Sequence, residues 1–270
     1  MTPFVLIWGG GDLATGVAYR LHRVGIRLLV VETPQPMAVR RSVSLAQAVY
    51  DGEVAIEDFT GRLIASTAEL PEVWEQQNIP VIVDPELTLL ESWHPLVLVD
   101  ARMRKRFSPL PLTMADLVVG LGPGFTVGEN CHAAIETNRG HFLGRVYWEG
   151  SPEADTRVPG TVQAYTRERV LHAPAEGVVR ALVAIGDLVK AGEPVLSVAG
   201  KVVSSPFDGV VRGLIQEGVQ VRKGVKVGDI DPRPETYRCR FISEKSLAIG
   251  GGVLEAILTR KAIRTHLWKA

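Results

Sequence analysis

The stretch Val5–Gly25, VLIWGGGDLATGVAYRLHRVG, passes from four apolar residues through three glycines into a helical pattern, and LLVVET follows closely, ending at Glu32 and Thr33. The order is strand, glycine turn, helix, strand. Leu13, Val17 and Leu21 share one helical face, and Gly25 closes it. Gly9, Gly11 and Ala14 satisfy G-x-G-x-x-A, with an acid about 20 residues further on. In that setting Gly9 permits the tight turn, while Gly10 and Gly11 let an anion approach backbone N–H groups. Asp12 opens the helix, and Glu32 accepts from ribose hydroxyls. A glycine turn of this kind also serves folds that bind no dinucleotide.

Beyond this stretch, FVLIW, RLLVVE, PVIVD, PLVLVD and DLVVGL are continuous apolar runs, the pattern of strands covered on both faces. Helical segments lie between them: DLATGVAYRLHRVG, then SLAQAVYDG with Ser44 and Gln47 as a capping box and Gly52 as a stop, then PEVWEQQN. This alternation predicts an α/β fold with a Rossmann-like, parallel, doubly wound sheet over residues 1–160.

Beyond it, PAEGVVRALVAIGDLVKAGEPV from Pro174 matches PFDGVVRGLIQEGVQVRKGVKV from Pro206 at a constant offset of 32. Gly177 aligns with Gly209, Arg180 with Arg212, Leu182 with Leu214, Gly186 with Gly218 and Gly192 with Gly224. Short valine-rich segments between glycine turns predict strands, so residues 165–232 read as a duplicated all-β unit. The duplication resembles the biotinyl/lipoyl-type barrel-sandwich hybrid. Lys201 lies between the halves but lacks the sequence context of a modified lysine in such carriers, which predicts an unmodified surface lysine. The segment 233–270 follows a proline-bearing linker. There Val253, Leu254, Ile257 and Leu258 share a helical stripe, so Gly250–Gly252 are expected to precede or open a helix that packs on the Rossmann-like domain.

At 270 residues the chain has room for about two domains of ~100–200 residues. Thirty Lys plus Arg balance thirty Asp plus Glu, which disfavours nucleic acid and anionic membranes as partners and leaves a small ligand. Apolar runs such as PLVLVDA stop short of the ~18 residues of a spanning helix. Asp12 interrupts the stretch where a signal peptide carries its apolar region. The expected location is the cytoplasm. Cys131 and Cys239 stand far apart without Cys-x-x-Cys spacing, which predicts reduced thiols.

A second glycine loop, VVGLGPGFTVGENCH, follows the last strand of the expected sheet. Gly120, Gly122 and Gly124 are expected to present amides to an anion at its carboxyl edge. Asp100 and Arg102, in VDARMRKR, follow another strand, and Arg40 and Arg41 come soon after Glu32, where an adenosine-side phosphate would lie. Cys131 beside His132 is the candidate catalytic residue, a thiol able to carry sulfur or selenium; a buried structural cysteine is the other reading. His, Asp and Glu show no metal-ligand spacing.

Taken together, IWGGGDLATGVAYRLHRVGIRLLVVETPQPMAVRRSVSLAQAVYDGE, VDARM, GLGPGFTVGENCHAAIETNRGHFLGRV and AIGGGVLEAI resemble the YqeB-type family, the selenium-dependent molybdenum hydroxylase system proteins. Its Rossmann portion is similar to the XdhC/CoxI accessory proteins. The resemblance implies a maturation factor for a selenium-dependent molybdenum hydroxylase, with that hydroxylase or other maturation proteins as partners and a phosphate-bearing ligand of molybdopterin type at the glycine loops. An NAD(P)-dependent oxidoreductase is the alternative, though the sequence nominates neither a hydride acceptor site nor a general acid. A scaffold whose glycine site is vestigial is the third reading, and a carrier modified at Lys201 the fourth.

Overall fold

The computed structural model describes residues 4–156, 160, 162–163 and 165–267. The ends of the expected first and last segments, at 1–3, 157–159 and 268–270, lie outside the described residues. The chain divides into two units: 1–36, 44–156 and 242–270 form the first, 37–43 and 157–241 the second.

The first unit is built on one sheet of nine strands: β1 (Val5–Trp8), β2 (Leu28–Glu32), β3 (Glu53–Ile56), β4 (Phe59–Ile64), β5 (Ile79–Val83), β6 (Val97–Asp100), β7 (Leu117–Leu121), β8 (Ala133–Ile135) and β9 (Val146–Tyr147), in the order β3-β4-β5-β2-β1-β6-β7-β8-β9. Val5 lies level with Leu28 on one side and Val97 on the other. Their neighbours Leu6, Leu29 and Leu98 are wholly buried with Phe4, Leu70 and Phe125 in one cluster. Each such side chain contributes about 1.5–3 kcal/mol on burial, so these central strands anchor the unit.

This corrects the expected Rossmann-like, parallel, doubly wound sheet. The sheet is mixed, because β3 and β9 run antiparallel to β4 and β8. Its helices are α1 (Asp12–His22), α2 (Ala48–Asp51), α3 (Leu70–Glu75), α4 (Glu244–Thr259) and α5 (Lys261–Arg264). The link from β6 to β7 holds a 3-10 turn at Leu112–Met114, and that from β7 to β8 is a loop. A helix from late in the chain, α4, packs against β7, β8 and β9. The capping box expected at Ser44 does not form either: Leu45–Gln47 is a 3-10 turn whose Ser44 makes no side-chain cap, although Gly52 does close α2 at φ +80°. The box forms instead at Ser66, which accepts from Ala68 N while Glu69 accepts from Ser66 N.

Gly250–Gly252 lie inside α4, not before it. Helix interiors disfavour glycine by about 1 kcal/mol relative to alanine, and close packing accounts for two of the three. A Cβ on Gly250 would stand 2.3 Å from Gly16 O in α1, and one on Gly252 would stand 2.2 Å from Gly144 O. Gly16 is constrained in return, since its Cβ would meet Ser246 O at 2.3 Å. The two helices thus cross backbone against backbone.

The second unit holds β10 (Val170–His172), β11 (Gly177–Ala181), β12 (Leu188–Val189), β13 (Pro194–Val198), β14 (Lys201–Ser204), β15 (Gly209–Leu214), β16 (Gln220–Val221) and β17 (Lys226–Asp231). They form two four-stranded antiparallel sheets, β10-β17-β15-β12 and β14-β13-β11-β16. Each repeat therefore gives two strands to each sheet. The hydrogen bonds repeat as well: Gly186 N donates to Val211 O as Gly218 N does to Val179 O, and Gly192 N to Ser205 O as Gly224 N does to Ala173 O. All four glycines have positive φ, the conformation that excluded other residues from these turns. The expected pairing of a Rossmann-like sheet with a barrel-sandwich hybrid is accordingly replaced by a mixed nine-stranded sheet and two separate antiparallel sheets. Lys201 is exposed after a two-residue turn, Ala199–Gly200.

Candidate functional site at the carboxyl edge of the parallel strands

Strands β1, β2, β6, β7 and β8 run parallel, so the segments leaving them, at Gly9, Thr33, Ala101, Gly122 and Glu136, all emerge at one edge of the sheet. The three glycines after β1 have three different reasons to be glycine. Gly9 sits at φ +96°, and the backbone of Ala101 and Arg102 lies 3.4 Å from where its Cβ would be. Gly10 donates to Glu32 Oε1 at 2.6 Å and accepts from Ala46 N at 2.9 Å. A Cβ there would stand 2.8 Å from Ala46 N.

Gly11 differs from both. At φ −65° and ψ −179° its backbone suits any residue, and no described atom lies within 4 Å of its Cβ position. It is the N-cap of α1, its carbonyl accepting from Thr15 N, and no side chain caps the helix. Ser, Thr, Asp or Asn at that place would bond to a first-turn amide; glycine leaves the amino end of the helix open. Asp12 follows in the first turn, and Ala14 is buried.

Glu32, expected to bind ribose hydroxyls, holds the glycine loop. Its two oxygens accept from Gly10 N and Thr33 N. Burial raises its pKa above the ordinary carboxylate value, against the lowering by those two amides. Asp100, 1 % exposed, takes the Arg102 Nε at 2.9 Å and its Nη2, and the guanidinium lies 3.0 Å from the centroid of the Trp8 ring. Arg102 is thereby fixed in direction. Its Nη1 has no hydrogen-bond partner among the described residues and stays available to a ligand.

The second glycine loop offers less than its sequence promised. Gly120 is held by the Phe125 ring, 2.1 Å from its Cβ position, and Gly124 by the Arg104 and Arg106 carbonyls. Gly122 faces Thr137 Oγ1, and its amide donates to Ile135 O. These glycines serve internal packing. Arg40 and Arg41 belong to the second unit, where Arg40 Nη2 donates to Phe241 O, and Arg41 donates to Leu214 O and Gln216 Oε1.

Cys131 is wholly buried, and burial pushes its thiol up to about 12, against a smaller lowering by the Gly120 amide. Ala133 is level with Val119, so Cys131 precedes the amino end of β8, away from the edge where Gly9 and Gly122 emerge. His132 Nδ1 accepts from Val118 N, and burial, then the charge of Arg260, lowers its pKa. Of the two readings of Cys131, its burial and raised thiol pKa favour the structural one over the nucleophile.

Sequence reasoning passed over two residues at this edge. Trp8, the last residue of β1, carries the Arg102 stack. Glu136, 1 % exposed, follows β8 and accepts from Asn138 N at 2.7 Å and Glu153 N at 2.8 Å. An acid or aromatic placed directly after an apolar strand was the available signal. Among the described residues no group of three or more His, Cys, Asp or Glu is placed to hold a metal ion, and no helix is long and apolar enough to cross a membrane. What the edge offers is directed hydrogen-bond donors.

No protein-family model matches the chain. It is similar to the uncharacterized protein YqeB of Escherichia coli (strain K12), with 46% identity over 254 residues, covering 94% of this chain and 47% of YqeB. The chain thus spans about half the length of that relative. Among solved structures, an aspartoacylase family protein from Mesorhizobium loti aligns over 85% of both chains at 12% identity and TM-score 0.26. A succinylglutamate desuccinylase from Silicibacter sp. TM1040 aligns over 85% of this chain and 84% of its own at 13% identity and TM-score 0.25. The apo form of the ectoine utilization protein EutE from Ruegeria pomeroyi aligns over 85% and 86% at 9% identity and TM-score 0.24. These structures are named for aspartoacylase, desuccinylase and ectoine utilization, not for maturing a molybdenum hydroxylase. The uncharacterized relative gives no support to the expected maturation factor, which is withdrawn, and at these TM-scores the solved structures carry no argument about chemistry. The similarity runs along nearly the whole of this chain and matches about half of YqeB.

Proposed function

We propose that the first unit binds a small molecule through an anionic group, a phosphate or a carboxylate, seated at the amino end of α1 with Arg102 as the second donor. Gly11 carries this reading. The positive φ of Gly9 and the Ala46 backbone beside Gly10 require those two to be glycine, whereas Gly11 meets no described atom and supplies no side-chain cap to the helix. The partial positive charge of a helix amino end favours an anion there. Arg102 packs against Gly9 and is held by Asp100 and Trp8, so its free Nη1 meets the ligand with little loss of side-chain freedom. Asp12 opposes a bare anion and favours a ligand that also carries a hydroxyl or a cationic group.

The test is calorimetric titration with inorganic phosphate and pyrophosphate, alongside native mass spectrometry of the purified chain for a retained ligand. Binding is expected to be lost in Gly11→Asp, whose own carboxylate caps the helix, and weakened in Arg102→Gln. Equal affinity in the wild-type and Gly11→Asp proteins refutes the site.

A further inference from the structure

At the edge of the sheet opposite to Gly9 and Gly122, where β2 and β5 begin, the first unit has a cleft of about 640 Å³ between the carboxyl ends of α1 and α3. That volume suits a small ligand. Both helices end in the same way. After α1, Gly25 N donates to His22 O and Ile26 N to Leu21 O; after α3, Gln77 N donates to Trp74 O and Asn78 N to Val73 O. This is the Schellman arrangement, whose left-handed residue is usually glycine. Gly25 takes that place at φ +78°, but Gln77 takes it at φ +58°. Left-handed backbone is unfavourable for a residue with a Cβ, so what Gln77 brings is its carboxamide. That group lines the cleft and has no hydrogen-bond partner among the described residues.

The side chains of Arg27, Glu75 and half-buried Asn78 line the same cleft, and none makes a hydrogen bond or ion pair among the described residues. Arg27 and Glu75 thus carry opposite charges into one space without pairing. Half-buried Trp74 supplies an apolar wall. Its Nε1 donates to Leu28 O at 2.7 Å, which fixes the ring, and the Arg27 guanidinium lies 5.8 Å from the ring centroid. His22 is half-buried as well, and burial lowers its pKa against the opposing charge of Asp58. Its imidazole is therefore neutral near pH 7, and the charges lining the cleft are those of Arg27 and Glu75. We propose that this cleft binds a zwitterionic α-amino acid with an apolar side chain. Arg27 presents its N–H groups to the carboxylate, and Glu75 accepts from the ammonium. The Gln77 and Asn78 carboxamides, each both donor and acceptor, meet the remaining hydrogen-bonding positions, and the apolar side chain lies against Trp74. A ligand with only one charge leaves either Arg27 or Glu75 unmatched.

Calorimetric titration of the full chain with L-leucine and L-phenylalanine tests it, beside isocaproate and isoamylamine, which keep the leucine side chain but only one charge each. An amino acid is expected to bind and to change the tryptophan fluorescence, and that change should disappear in Trp74→Phe. Isocaproate and isoamylamine should bind about tenfold more weakly than leucine or not at all, and Arg27→Gln and Glu75→Gln should weaken leucine by a similar factor. Gln77→Gly should weaken it severalfold without lowering the melting temperature, which separates contact with the ligand from a part in the fold. No binding of either amino acid at millimolar concentration, equal affinity for leucine and both singly charged analogues, or an affinity unchanged by all three substitutions overturns the proposal.

Discussion

The chain contains two runs of three glycines, Gly9–Gly11 and Gly250–Gly252, and they belong to different physics. The first run ends a strand and begins a helix; the second lies in the middle of a helix. In each, two glycines are required by the fold. Gly9 takes a positive φ and Gly10 makes room for Ala46, while Gly250 and Gly252 make room for Gly16 and Gly144. In each, one glycine meets nothing: Gly11 beside open helix amides, Gly251 among half-buried leucines. Two glycines of a cluster are thus accounted for inside the fold, and the third meets no described atom, at the start of a helix in one case and among half-buried leucines in the other.

The largest effects should come from the packed members. Gly252→Leu and Gly250→Val place a Cβ within 2.3 Å of a backbone oxygen that cannot move alone, so we expect losses of about 3 kcal/mol or more. Gly10→Val, against the Ala46 amide at 2.8 Å, should cost somewhat less. Urea unfolding measures all three, and a loss at Gly251→Val as large as at Gly252→Leu would erase the distinction between packed and open glycines.

Gly11→Asp should abolish anion binding yet leave stability within ~0.5 kcal/mol of wild type, because Asp caps a helix slightly better than Gly. Chemical denaturation beside calorimetry separates these outcomes. Asp12→Asn removes the charge that opposes an anion and should tighten phosphate or pyrophosphate by ~0.3–1 kcal/mol. Titration at low ionic strength is the sensitive condition, and weaker binding in this variant would mean that the Asp12 carboxylate itself holds the ligand.

Glu32 sharpens the same comparison through pH. Burial raises its folded-state pKa, so the native state holds the proton more readily than the unfolded chain. Its contribution to stability is fullest below the unfolded pKa and falls as pH rises towards the folded value. Glu32→Gln keeps an acceptor for Gly10 N and should flatten that part of the stability–pH curve. The smallest effect concerns Cys131: with its thiol near 12 and wholly buried, native protein should resist alkylation at neutral pH. Rapid modification, followed by mass spectrometry, would restore its reactivity.

Much of the second unit was legible because repetition leaves a trace independent of contacts. The offset of 32 placed Gly186 opposite Gly218 and Gly192 opposite Gly224, and the turn hydrogen bonds obey it. In the first unit, continuous apolar runs marked the central strands and the glycines marked the turn before α1. Strands β3, β4, β8 and β9 at the sheet's margins were not legible, and neither was the antiparallel direction of β3 and β9. The fates of Arg40, Arg41 and the second glycine loop were hidden too, because a hydrogen bond from Arg41 to Leu214 joins residues 173 positions apart.

The sequence by itself determined the five central strands, which segments repeat, and that a glycine turn precedes α1; these are local properties of side-chain period, backbone freedom and duplication. Only the tertiary structure decided why each glycine is a glycine. A missing Cβ looks the same in every sequence, and whether it makes room for Ala46, for Gly144 or for nothing in this chain depends on what the fold brings within a few ångströms of it.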